Sequence, residues 1–167
     1  MGLLRGASRW RRPDHLRRPM GQCHLRRAGA VMRLDDLRGR WSVERVIEDH
    51  RADLTGRFEG EAIWSPDANG LVQTEVGVLH YGSASPMQAT RRYLWRAQGE
   101  GIAVFFDDAR PFHIVPAPGQ EALHDCPPDT YRVRYAFTGL DAFTTVWHVT
   151  GPRKHMTLTT RFTCKPA

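Results

Sequence analysis

Trp41-Ser42-Val43-Glu44-Arg45-Val46-Ile47 is the stretch that decides the fold. Side chains alternate across a strand, so Trp41, Val43, Arg45 and Ile47 share one face and Ser42, Glu44 and Val46 the other. Three large apolar groups mark the first face as the buried one. Arg45 sits among them, and a buried guanidinium needs a partner because an unpaired one is strongly destabilising. The pattern recurs in Ala89-Thr90-Arg91-Arg92-Tyr93-Leu94-Trp95, where Arg91 shares a face with Tyr93 and Trp95. Charged groups set among aromatic ones on the inside of a β shell describe a ligand pocket. They do not name the ligand.

Outward from these two runs, strand signals dominate the chain. Residues 57–64 place Phe58, Gly60, Ala62 and Trp64 on one face. Residues 71–81 form a third run whose inward face is left open, either the set with Leu71, Gln73, Glu75 and Leu79 or the set with Val72, Thr74, Val76 and Val78. Residues 102–107 and 111–115 make a hairpin around Asp107-Asp108-Ala109-Arg110. Residues 131–137 turn Tyr131, Val133, Tyr135 and Phe137 inward. Residues 143–150 and 155–164 close the pattern, joined by Gly151-Pro152-Arg153-Lys154, with Met156, Leu158, Phe162 and Cys164 inward. Pro116 to Thr130 reads as the longest connection, a candidate lid or site wall. Leu34 to Leu37 allows one helical turn, ended by Gly39. Hairpin-length links and one polar face per strand predict an all-β, antiparallel, up-and-down barrel of about eight to ten strands, a shape that hides strand edges and can hold one small ligand.

The 167 residues and formal charge of +6 invite a nucleic-acid reading, but the charge is not spread over the domain. Residues 1–31 carry eight arginines against Asp14 alone, which is more than the whole net charge. Residues 32–167 are therefore near neutral, with no basic stripe for phosphates. Residues 1–31 read as a disordered basic tail with no helical periodicity and no secretory core. The preferred reading makes Met32 the true start, with a genuine basic arm as the alternative. Residues 32–167 form one barrel domain. The odd set of Cys23, Cys126 and Cys164, with no Cys-x-x-Cys pair, fits a reducing compartment, and no apolar run approaches membrane length. A cytoplasmic protein that binds neither nucleic acid nor membrane, monomeric or homodimeric, is expected.

Leu37-Arg38-Gly39-Arg40-Trp41 resembles the opening of a lipocalin-like (calycin) barrel, in which the Trp sits at the closed end. Arg91-Arg92-Tyr93-Leu94-Trp95, Arg110-Pro111-Phe112-His113, the segment from His124 through Tyr131, and Gly151-Pro152-Arg153-Lys154 together resemble an uncharacterised family of bacterial and fungal domains of unknown function. The resemblance covers about residues 32–167 and implies a lipocalin-like barrel without carrying over any catalytic residue. The Leu-x-Gly-x-Trp entry is also similar to that of nitrobindin-type haem barrels, from which Ser42-Val43 departs.

The candidate ligand-binding residues are Arg45, Glu75, Arg91, Tyr93, His113, His124, Asp129, Tyr131, Tyr135 and Lys154. The pocket mouth is expected near His113, His124 and Asp129, with Arg91, Glu75 and Tyr131 deeper. Glu75 facing Arg91 or Arg45 is an ion-pair partner; isolated in an apolar site it is a general acid or base. Inward tyrosines and tryptophans suit a planar ligand, since they supply apolar area and a polar handle. Three functions compete: a small-molecule binding barrel for an amphipathic or anionic ligand, an enzyme using Glu75 with His113 or His124 for proton transfer, and an assembly module whose barrel is filled by its own side chains. No cofactor or metal is predicted. Zinc on His113, His124 and Cys126, and haem, are minor alternatives.

Overall fold

The structure, a computed structural model, describes residues 32–139 and 141–166. The reading of residues 1–31 as a disordered tail or upstream sequence lies outside the described residues. A 3-10 turn, Leu34–Leu37, leads into ten strands: β1 Gly39–Asp49, β2 Leu54–Asp67, β3 Gly70–Tyr81, β4 Met87–Gln98, β5 Gly101–Phe106, β6 Pro111–Ile114, β7 Ala122–Cys126, β8 Asp129–Phe137, β9 Ala142–Thr150 and β10 His155–Cys164. All pairings are antiparallel, in one sheet of order β6-β5-β4-β3-β2-β1-β10-β9-β8-β7. The sheet curls until its two edges, β6 and β7, come into contact. The result is a nearly closed up-and-down barrel, as the alternation predicted. Among the described residues no helix is long and apolar enough to cross a membrane.

The closed end is an aromatic floor. Gly39 adopts φ 128°, a region that a side chain disfavours, and so turns the chain from the 3-10 turn into β1. Trp41 is then fully buried and donates its indole N–H to the Leu37 carbonyl at 2.8 Å. Trp41 meets Phe143 edge-on at 5.3 Å, Trp64 meets Trp95 and Phe162 at 5.6 Å each, and Phe143 stacks on Phe162 at 4.5 Å. Each such buried ring contributes roughly 1.5–3 kcal/mol by removal from water, and the pairing geometry adds about 0.5–1.5 kcal/mol.

One expectation needs correction, and one open choice is resolved. Pro116 to Thr130 is not one connection, because it contains β7, which pairs with β8 from Ala122↔Val133 to Cys126↔Asp129 across the Pro127-Pro128 turn. Ala122-Leu123-His124-Asp125-Cys126 lacks the β-branched residues that announce a strand, and tertiary pairing overrides that weak local preference. The ambiguous third run resolves with Leu71, Gln73 and Glu75 buried, while Val76 is exposed.

Gly60 on β2 and Gly77 on β3 are register partners. A Cβ on Gly60 would lie 2.2 Å from the Val76 carbonyl oxygen, so the two backbones approach too closely for any side chain. Gly60→Ala should therefore lower stability by about 1–3 kcal/mol through overpacking against backbone. Urea melts with an unchanged midpoint would show that β2 and β3 are not drawn together there.

Candidate functional site

Register places a belt of polar side chains around the inner wall. Arg45 on β1 is opposite Thr160 on β10, Thr160 is opposite Thr145 on β9, and Thr145 is opposite Tyr135 on β8. At one end of the belt Arg45 reaches across β2 to Glu75 on β3, donating Nη1 to Oε1 at 2.7 Å and Nη2 to Oε2 at 2.9 Å. Its Nε donates to Thr160 Oγ1 at 2.8 Å, and its guanidinium lies 5.1 Å from the Phe58 ring centroid. Only 8% of Arg45 and 2% of Glu75 is exposed, so both charges are compensated out of water. Gly60 lies on the diagonal between them, since β2 presents Phe58 to Arg45 and Ala62 to Glu75. The bare glycine leaves the ion pair a clear path over β2.

At the other end of the belt the Tyr135 hydroxyl lies 3.0 Å from His113 Nε2, and both side chains are buried. Burial, with a smaller contribution from His124, pushes the His113 imidazole down to about 3. Burial likewise holds the Tyr135 hydroxyl well above the usual tyrosine range. Both groups are therefore neutral at ordinary pH. Among the described residues, neither the buried His113 Nδ1 nor the buried Trp64 indole N–H has a hydrogen-bond partner. The ring of His113 stands perpendicular to Phe112 at 4.7 Å and to Trp147 at 5.0 Å.

Between the belt and the open end lies a cavity of about 1100 Å³. Its walls include Ile47, Leu79, Leu158, Tyr93, Phe106, Phe112, Tyr131 and Trp147. Three of the rings are nearly parallel: Phe112 stacks on Trp147 at 5.0 Å and on Tyr93 at 5.6 Å. A register shift between Val104 and Phe105 puts two consecutive residues of β6, Phe112 and His113, on the cavity wall. Re-aiming a side chain is a common use of a β-bulge. Phe112 also meets His124 of β7 at 5.1 Å, bridging the two sheet edges.

Of the residues singled out from the sequence, Arg45, Glu75, Arg91, Tyr93, His113, His124, Tyr131, Tyr135 and Lys154 all border this cavity. Asp129 does not; it stands behind Lys154, accepting its ammonium at 2.7 Å. That contact, followed by one to the Tyr131 hydroxyl at 3.2 Å, raises Lys154 above the usual lysine range. The expected depths are partly inverted. His113 is buried, whereas Tyr131 sits beside Lys154 near the open end. Arg91 is exposed, not buried, and Glu75 bonds Arg45 although its cross-strand partner is Arg91. The reason is strand length: β5 pairs β4 only from Tyr93 to Gln98, so the part of β4 above Tyr93 has no neighbour on that side. Arg91 does point inward, but beside a notch in the wall. His113, His124 and Cys126 do not assemble a ligand set, for no three His, Cys, Asp or Glu side chains converge suitably for a metal among the described residues. Sequence reading passed over Thr145 and Thr160, although alternation with Phe143 and Trp147, and with Leu158 and Phe162, places them on the inner face.

A lipocalin-like barrel with a polar belt and an open interior cavity is what the fold and its interior define. The chain belongs to the family of unknown function DUF6314, whose model matches residues 37–164. Among solved structures it is similar to an S-type phycobiliprotein lyase from Guillardia theta, at a TM-score of 0.53 and 6% identity, over 80% of this chain and 91% of that one. At that identity the likeness is one of fold. No curated protein matches the chain.

Two predictions follow from this geometry. Arg45→Met and Glu75→Gln should each cost about 3–5 kcal/mol by stranding the partner's charge, and together less than the sum. Arg91→Met should stay within about 0.5 kcal/mol of the parent; urea melts showing additive losses for the first two would break the pairing. His113 has a folded value of about 3 against an ordinary 6.5, so the unfolded chain binds its proton first. Its contribution to stability is complete above about pH 6.5 and is lost as the pH falls toward about 3. Between about pH 7.5 and 5 the parent should lose about 2 kcal/mol more than His113→Gln does. Equal losses would place His113 in contact with water.

Proposed function

We propose that this barrel binds a small amphipathic or anionic molecule whose planar apolar body lies along the aromatic wall. The observation that carries the reading is the cavity of about 1100 Å³, open to solvent above a polar belt whose own charges cancel. Small-molecule sites commonly occupy about 300–1000 Å³ and pair apolar walls with a few placed polar groups. An interior serving only to hold a barrel together packs to crystal-like density, so the filled assembly module has less support. Tyr93, His124, Tyr131 and Trp147 then face the ligand, while Arg45 and Glu75 shape the belt and Asp129 positions Lys154.

Acid–base catalysis has less support than binding. Both oxygens of Glu75 are committed to Arg45, and His113 titrates far below the pH at which a general base is most effective. The likeness to a lyase is a likeness of fold and assigns no substrate.

Native mass spectrometry of untagged protein tests the reading. A retained small molecule is the expected result, lost in a Trp147→Ala variant that removes the broadest surface of the aromatic wall. Protein at its bare mass that also fails to enhance the fluorescence of anilinonaphthalene sulfonate would reject it.

A further inference from the structure

The cations bordering the cavity are not equivalent. Arg45 is held by Glu75, Arg110 by Asp108 at 2.7 Å, and Lys154 by Asp129. Arg91 makes no hydrogen bond or ion pair with any described residue. It borders both the cavity and a second recess of about 520 Å³, in which Arg92 and Asp107 pair with each other. Arg91 is therefore an uncommitted cation at the notch left by the short β5.

The interior presents the opposite chemistry. No charge in the belt is uncompensated. Thr145 is buried, borders the cavity, and its hydroxyl bonds no described residue, although its neighbours Tyr135 and Thr160 are both engaged. A hydroxyl offers one donor and two acceptor positions to a neutral polar group. A second carboxylate placed there would be buried without a counter-charge, which is costly.

Resting on the binding reading above, we propose that the ligand is a monoanion bound in one orientation: its acid group lies at the β4–β5 notch on Arg91, its aromatic body crosses the cavity, and its inner end is an uncharged hydrogen-bonding group on Thr145. A dianion with acids at both ends is excluded by the same arrangement. A carboxylate on Arg91 forms a charge-assisted hydrogen bond that a neutral ester cannot match.

Four rods of one shape separate the terms: biphenyl carboxylate, its methyl ester, its para-acetyl derivative and the para-dicarboxylate. Each is titrated against anilinonaphthalene sulfonate bound to the full chain. The monoacid should bind roughly tenfold or more tightly than the ester, as a charged hydrogen bond is stronger than a neutral one. Arg91→Met should erase that preference while leaving the ester unchanged. The acetyl compound should exceed the plain monoacid, and the near-isosteric Thr145→Val should remove that gain alone. The dicarboxylate should bind most weakly of the three acids. Equal binding of acid and ester, a preference that survives Arg91→Met, an acetyl gain that survives Thr145→Val, or a dicarboxylate matching the acetyl compound would each overturn the proposal. If no rod and no anilinonaphthalene sulfonate binds, the binding reading fails first.

Discussion

A guanidinium that must be buried needs a carboxylate delivered to it, and much of the inner wall is arranged around that need. Arg45 and Glu75 come from strands that are not neighbours, so the pair fixes β1, β2 and β3 against one another. The Gly60–Gly77 approach makes the span short enough, and Thr160 takes the remaining Nε–H. Removing either charge would leave the other stranded, which is why such a pair specifies an arrangement even where its net stabilisation is small. Once the pair is formed, the belt from Glu75 to His113 is electrically neutral and the cavity above it has a defined base.

The barrel is closed by two different kinds of interaction. Around most of the circumference, backbone ladders join the strands. At the seam between β6 and β7 the ladder is absent, and aromatic side chains take over: Phe112 spans from His124 on one edge to Tyr93 and Trp147 within. Bare sheet edges invite unwanted pairing, and both of these edges are short, which limits that hazard. Closing a seam with rings also means that the wall most suited to a planar ligand is the wall that completes the barrel.

Charge is distributed by depth along the barrel. The floor is aromatic, the belt is polar but neutral, and the uncommitted positive charge sits at the notch. That gradient is what supports the proposed binding of an amphipathic molecule, with apolar length inside and charge at the rim. Histidine and tyrosine at the belt are held in their uncharged forms by burial.

Period-two alternation is a local property of the chain, and it was enough to determine the fold class, the inner faces of β1, β2 and β8, and the burial of Trp41 and Arg45. It also placed Arg45, Arg91, Tyr93, Tyr131 and Tyr135 on inner faces, and all five border the cavity. What it left open depended on which strands lie side by side and how far each one runs. Glu75 could face Arg91 or Arg45, and only the crossing over Gly60 chose Arg45. Arg91 points inward as alternation requires, yet is exposed because β5 stops short of it. β7 carries no strong strand signal and exists because β8 offers it a partner. His113 lies deep because it pairs with the buried Val104 of β5. Alternation is written in neighbouring residues, whereas pairing partners, strand ends and depth are set by contacts between residues far apart in sequence.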